Sequence, residues 1–230
     1  MNRIHHTAVI GDGVEMGSGN VIGPYAVLLG PVKLGDGNWV GPHVVIGTPA
    51  EIRGVDHGTD VGGAAGTGVE IGHGNVIREY TTIHQGHHAE TRVGDDCFLM
   101  NKVYIAHDGA IGDTVTMASG ATLGGHVQVG RLAHIGMGTI VHQRRVIGPV
   151  TMVGMGSVVT RDVPPFSLAY GNPCRVRSAN RVGMQRAGVP DETIDALDEA
   201  YADGLPDAAP RDASTAWAWS WWDQSHADPN

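Results

Sequence analysis

A spacing of six governs this chain. Val93, Leu99, Ile105, Ile111, Met117, Leu123, Val129, Ile135, Val141, Ile147, Val153 and Val159 follow one another at intervals of six residues. A helix repeats its buried face about every 3.6 residues and a strand every two, so neither produces this run. Six-residue units do produce it when each is a short strand plus a corner and three units close one coil of a solenoid. Two positions earlier runs a second column of small or β-branched residues: Cys97, Val103, Val115, Ala121, Val127, Ala133, Thr139, Thr151 and Ser157. Positions two apart in a strand share a face, so both columns point inward. Glycine often follows the aliphatic residue, as at Gly94, Gly112, Gly124, Gly130, Gly136, Gly148 and Gly154, which predicts corners needing unusual φ and ψ. The fold class is all-β, a parallel β-helix of hexapeptide repeats.

The same phase starts at Ile10 and runs through Met16, Ile22, Leu28, Leu34, Val40 and Ile46. Asn20 and Asn38 fall in the second column, where stacked amides can hydrogen-bond along the axis. Two excursions interrupt the repeat. The first, about 48–68, is Gly-rich and carries Glu51, Arg53, Asp56, His57 and Asp60; the second covers 84–90. Polar loops on a regular scaffold commonly carry function. Asp162-Val163-Pro164-Pro165 ends the ladder, since proline has no N–H to donate. Helices are predicted over about 178–186 and from Pro190 to Tyr201, the latter from its initial proline and acids and its Ile194, Leu197, Tyr201 stripe. The chain thus divides into a β-helix domain at 1–165, a short helical region at 166–204, and a tail at 205–230 holding Trp217, Trp219, Trp221 and Trp222.

The formal net charge of −9 opposes a phosphate-backbone partner, so no nucleic acid is expected. Cys97 and Cys174 supply neither a disulfide framework nor a paired metal-ligand spacing, and Cys97 reads as a buried thiol of the inward column. The N-terminal MNRIHHTAVIG lacks an apolar signal core, and no run reaches membrane-spanning length. A cytoplasmic protein without a transmembrane segment is expected. Among the 13 histidines, His84, His87 and His88 cluster, while His126, His134 and His142 stand eight apart. On a coil of three six-residue units, positions eight apart fall on different sides or different coils. No metal site is expected within one chain, while a site between chains stays open.

Ile105-Ala106-His107-Asp108-Gly109 places His107 and Asp108 on an outward polar corner of the most regular run. His107, Gly125 and Gln143 are one coil apart and stack along one edge, setting an imidazole beside a backbone N–H with no side chain over it. Imidazole, with an ordinary pKa of about 6.5, accepts a proton near neutrality. A fixed N–H stabilises an oxyanion.

Several motifs, in order, carry a family resemblance: Ile77-Arg78-Glu79 with Thr82-Ile83-His84, Ile105-Ala106-His107-Asp108, Ala121-Thr122-Leu123-Gly124-Gly125-His126, Val141-His142-Gln143, and Asp162-Val163-Pro164-Pro165 with Gly171-Asn172. They resemble the acyl-carrier-protein-dependent UDP-N-acetylglucosamine O-acyltransferases of lipid A synthesis, over about 7–188. The resemblance implies a left-handed coil, a homotrimer with active sites between subunits, and a thioester of acyl carrier protein or coenzyme A as donor, with no bound cofactor. It implies His107 as general base, Asp108 as its neighbour and Gly125 as the oxyanion N–H. His84, His126, His142 and Gln143 match substrate-cleft positions, and Asn180 and Arg186 match residues that hold the nucleotide. Met155 takes the position that limits acyl length, glycine in long-chain members, which predicts medium or short acyl groups.

The departures from the family pattern concern the acceptor. Tyr104 stands where the family has a second histidine and is assigned a substrate contact. Ala50-Glu51-Ile52-Arg53 stands for Gln-Asp-Leu-Lys, which reads as loss of a sugar-contacting aspartate. Val182 replaces an acidic residue and Ala187 a basic one. Weak or no binding of UDP-N-acetylglucosamine itself is therefore expected, the acceptor being a hydroxyl of a sugar nucleotide or similar polar molecule. An acetyl-coenzyme-A-dependent N-acetyltransferase, a trimeric β-helix metalloenzyme of the carbonic anhydrase type and a catalytically silent scaffold are the competing readings.

Overall fold

A computed structural model describes residues 1–54, 66–202 and 210–227. Asp56, His57 and Asp60 of the first excursion lie outside them. Strands of mostly two or three residues recur every six and wind into a parallel solenoid of about nine coils. Three sheets form its sides. Sheet A has ten strands, from Arg3–Ile4 to Arg175–Ala179; sheet B has eight, from Val9–Ile10 to Val158–Val159; sheet C has seven, from Val14–Met16 to Val146–Ile147. Each strand pairs with the strand one coil away, so Tyr104 faces Thr122 and Ile105 faces Leu123, an offset of 18. The offset grows to 22 where Thr82 faces Tyr104 and to 37 where Val45 faces Thr82. Both excursions therefore leave the solenoid between sheet B and sheet C. The second folds over the edge that carries His107.

The six-residue column is the core. Ile77, Ile83, Leu99, Ile105, Met117 and Ile135 are fully buried, each worth about 1.5–3 kcal/mol relative to exposure. The second column is partly polar: its amides are hydrogen-bonded along the axis, while the buried Thr91 hydroxyl has no partner among the described residues. Asn38 Nδ2 donates to Asn20 Oδ1 at 3.1 Å, Asn75 Nδ2 donates to Asn38 Oδ1 at 2.9 Å, and the Cys97 N–H donates to Asn75 Oδ1 at 2.8 Å. Asn75 thus extends the amide stack expected from Asn20 and Asn38 across the first excursion. Cys97 is buried as expected, and burial pushes its thiol up to about 11.

The corner glycines act differently from the sequence expectation. Those that follow the aliphatic column are small because the next coil lies close: a Cβ on Gly124 would stand 2.7 Å from the Gln143 nitrogen, and one on Gly136 2.5 Å from the Met155 nitrogen. The left-handed backbone falls two residues later. On the edge between sheets A and B it is taken by Tyr25, His43, Tyr80 and Lys102 and, further along, by Gly120, Gly138 and Gly156; on the B–C edge it is taken by Asp108 (φ 58°), His126 (60°) and Arg144 (59°).

The ladder continues past the two prolines. Ser167–Tyr170 joins sheet A beside Met152–Val153, and Arg175–Ala179 returns antiparallel to it. Ser178 and Ala179, expected in a helix, are strand because they pair with Leu168 and Ser167. Helix α1 spans Arg181–Arg186 and helix α2 spans Asp191–Ala202, close to the expected second helix. The tryptophan segment is a third helix, α3, Ala216–Ala227. Trp219 is buried, and both it and Trp217 pack on Phe166, with the Arg131 guanidinium 4.8 Å above the Trp217 ring. Among the described residues no helix is long and apolar enough to cross a membrane.

Candidate active site

His107, Gly125 and Gln143 stack on the B–C edge as their spacing requires. The His126 N–H donates to the His107 carbonyl at 3.0 Å and the Arg144 N–H to the Gly125 carbonyl at 2.8 Å. A Cβ on Gly125 would lie 2.6 Å from His107 Nε2, so the imidazole rests on bare backbone. His107 Nδ1 stands 2.6 Å from Asp108 Oδ2. With the carboxylate ionised, the proton sits on Nδ1 and the lone pair on Nε2. The Gly125 N–H donates to no acceptor among the described residues, while its neighbours at Gly124 and His126 serve the ladder.

Asp108 is not the solvated corner residue that its place in the repeat suggests. Its side chain is 1% exposed. Oδ1 accepts from the N–H groups of His87, His88 and Ala89 at 3.1, 2.7 and 2.7 Å, so the second excursion folds down onto it. Oδ2 takes His107 and lies 3.6 Å from His126 Nε2. Burial pushes the carboxyl up, but the Ala89 N–H, His107, the His88 N–H and His126 outweigh it and hold Asp108 below its ordinary value. Burial, against the pull of Asp108 and with help from Arg144, keeps the His126 imidazole below its own.

His107 Nδ1, Asp108 Oδ2 and His126 Nε2 lie within 4.8 Å of one another. Two ligands on a tetrahedral zinc ion stand about 3.3 Å apart, given its bond lengths. The 2.6 Å contact is instead a hydrogen-bond distance, and it describes a proton held between base and carboxylate. His134 lies on sheet A, while His126 and His142 share the B–C edge on successive coils.

Sheet B supplies the wall beside this edge. The Tyr104 hydroxyl donates to Glu51 Oε1 at 2.6 Å, and burial followed by Glu51 raises the phenol far above its ordinary value. His84 Nδ1 stands 2.9 Å from the Pro49 carbonyl and 3.3 Å from Glu51 Oε2. This corrects the reading of the first excursion. A carboxylate is present there: Glu51, one methylene longer than the expected aspartate, joins Tyr104 and His84. The retained acid at the second position of Ala50-Glu51-Ile52-Arg53 was the signal for it.

Other expected site residues stand elsewhere. His142 and Gln143 are exposed at the same edge, with His142 Nδ1 3.1 Å from the Gln143 carbonyl. Met155 is on the A–B edge and 75% exposed. Arg186 lies near the outer face of sheet A, where burial and then its charge hold His134 below its ordinary value. The Asn180 amide is occupied within the chain: its oxygen caps α1 by accepting the Gly183 N–H at 3.2 Å, and its NH2 donates to the Val150 carbonyl at 2.8 Å. One chain therefore brings His84, Tyr104, His107, Asp108, Gly125, His126, His142 and Gln143 to one edge. It leaves Met155, Asn180 and Arg186 on others.

A hexapeptide-repeat β-helix with a histidine–carboxylate pair set over a bare glycine defines the β-helix acyltransferase class. An acyl-[acyl-carrier-protein]–UDP-N-acetylglucosamine O-acyltransferase of Thiobacillus denitrificans is 41% identical over 215 residues, 87% of this chain and 83% of that one. The chain belongs to the UDP-N-acetylglucosamine O-acyltransferase family. The family model described as UDP N-acetylglucosamine O-acyltransferase, domain 2, matches residues 162–203. The enzyme of that name from Synechocystis is 43% identical over 135 residues, 58% of this chain and 49% of that one, so the chain spans about half the length of that relative. Among solved structures, the UDP-N-acetylglucosamine acyltransferase of Bacteroides fragilis has a TM-score of 0.80 at 26% identity, covering 96% of this chain and 94% of that one. The UDP-N-acetylglucosamine O-acyltransferase of Moraxella catarrhalis has a TM-score of 0.75 at 30% identity, covering 97% and 93%. The solenoid is left-handed, as the family resemblance implied.

Proposed function

We propose that this chain transfers an acyl group from a pantetheine thioester, that of acyl carrier protein in the first instance, to a hydroxyl of a UDP-amino sugar. The observation that carries this reading is the 2.6 Å His107–Asp108 pair, which fixes Nδ1–H and turns the free Nε2 over Gly125. The acceptor O–H gives its proton to Nε2 as its oxygen attacks the thioester carbonyl. The oxyanion faces the Gly125 N–H, in line with a preorganised donor. The C–S bond then breaks, and the leaving thiolate takes the proton back from the imidazolium. Every step is an acid–base or displacement step by groups of this chain. Glu51 supports the sugar-nucleotide acceptor, because it sets a carboxylate against Tyr104 and His84 where the family pattern has an aspartate.

The functional unit is a homotrimer under this proposal. Tyr25, Tyr80, Met137 and Met155 are exposed on the A–B edge, and Val9 and Ile140 on sheet B. Sheet C turns out Glu15, Lys33, Glu70 and Arg92. Apolar surface of this kind calls for a partner, and charged surface for water. Copies that set sheet A of one against sheet B of the next bring Arg186 toward the His107 edge of a neighbour. The test is His107→Ala. Thioester turnover should fall by about 10²–10⁴, as loss of a general base does, with trimer mass and thermal midpoint retained. Full activity in this variant would overturn the mechanism.

A further inference from the structure

We propose that the cleft between sheet C and α3 is a phosphoryl-binding subsite, and that it anchors the phosphate of the pantetheine arm of the thioester donor. The cavity measures about 580 Å³, the size of small-molecule sites. Its floor reaches the B–C edge, because Asp108 and His126 line both it and the candidate active site. Trp221, Gln224 and Ser225 of α3 roof it.

A count of its charges leaves one cation, Arg144, without an anionic partner among the described residues. Asp108 is filled by three backbone N–H groups and an imidazole. Asp162 accepts the Val146 N–H at 2.9 Å and pairs with Arg145 at 3.3 Å and His226 at 3.4 Å. Arg92 pairs with Glu70 at 3.3 Å and Glu90 at 3.2 Å. Arg144 pairs with no carboxylate among the described residues. What faces the cavity is a guanidinium, the imidazoles of His88 and His126, and the amides of Gln128 and Gln224. A fork of guanidinium donors flanked by imidazoles suits a phosphoryl group better than a neutral ligand.

Arg144 holds the left-handed backbone at φ 59°, as Tyr25, Tyr80, Leu132 and Val150 do at other corners, so the conformation belongs to the solenoid and a glycine fits it. Both carrier-protein and coenzyme A thioesters present a phosphoryl group on the same thin pantetheine arm. Held beneath α3, that arm would run round the B–C edge toward Nε2 of His107.

The identification of the donor rests on the proposed acyl transfer, but phosphoryl binding does not, and the test reads binding without turnover. Calorimetry on the full chain would compare 4′-phosphopantetheine, pantetheine, UDP and orthophosphate, with histidine ring resonances followed by NMR. Phosphopantetheine should bind at least about tenfold more tightly than pantetheine and shift the His88 and His126 signals. Arg144→Gln should remove that advantage and leave pantetheine unchanged. Arg144→Gly, which suits the backbone, should do the same and guards against a folding defect. Equal affinity for the two pantetheines, or an unaffected advantage in both variants, would overturn the subsite. Binding of UDP or orthophosphate that depends on Arg144 and matches or exceeds that of phosphopantetheine would overturn the donor assignment.

Discussion

Asp108→Asn separates two tasks that one carboxylate performs. Oδ1 holds the N–H groups of His87, His88 and Ala89, and Oδ2 holds the Nδ1–H of His107. The amide must keep its oxygen on the three N–H groups, since the opposite rotamer sets NH2 against three donors. Its NH2 then faces His107, Nδ1 sheds its proton to accept, and the proton moves to Nε2. The base is lost with the excursion still in place. Turnover should fall by about 10²–10⁴, or about 3–5 kcal/mol in activation free energy. Stability should change by only about 1 kcal/mol, because the three hydrogen bonds lose charge but persist. Asp108→Ala removes them. Each bond to a charged group is worth about 1.5–3 kcal/mol, but His87, His88 and Ala89 are exposed and water can reach their N–H groups, so the total is about 3 kcal/mol. For a chain of this size that lowers the midpoint by about 6–12 °C. The pH response follows the same carboxylate. Its folded pKa lies below the ordinary 3.8, so its contribution is complete above that value and is lost as pH falls through the lowered folded one. Both variants should lack this acid limb. Single-turnover thioester consumption, calorimetric midpoints from pH 7 to 3 and the nitrogen shifts of His107 are the assays. Full turnover in Asp108→Asn, or equal midpoints for the two variants, would refute the division of labour.

The remaining outcomes are more local. Asn38→Ala breaks the amide stack and leaves the buried Asn75 N–H and NH2 without their acceptor, a loss of about 2–4 kcal/mol; a midpoint within 2 °C of the parent would contradict it, given about 2–4 °C per kcal/mol. Met155→Gly should shift preference toward longer acyl donors, to be read from relative kcat/KM over a chain-length series. Sedimentation equilibrium should return a trimer at micromolar concentration, and a stable monomer would sink the shared-site arrangement.

The repeat was legible because its cause is local. Each inward position must be apolar or amide-stacked, so the period could be counted, and with it the stacking of His107, Gly125 and Gln143. What lay outside the repeat was not legible in the same way. Nothing in the spacing reveals that residues 87–89 fold onto Asp108, because a loop leaving a solenoid carries no period. Glu51 reaches Tyr104 across 53 residues of sequence for the same reason. Ser178 and Ala179 were misassigned because a strand that pairs antiparallel with the last coil leaves the six-residue phase. The tryptophans looked like a tail because their order rests on Phe166, a contact no local pattern encodes.

These two sources of order meet at His107. The solenoid fixes where the ring lies, since Ile105 is locked in the core two residues earlier and Gly125 is delivered one coil later by the same ladder. The excursion fixes which nitrogen is free, since without residues 87–89 above it Asp108 would be hydrated, and its grip on Nδ1 would compete with water. A solvated corner would leave His107 sampling both tautomers; a roofed one holds a single tautomer with the lone pair aimed over the bare glycine. The repeat therefore supplies position and the loop supplies protonation state. Changes in 84–90 that spare Asp108 should then act on turnover through the imidazole, without moving any residue of the core.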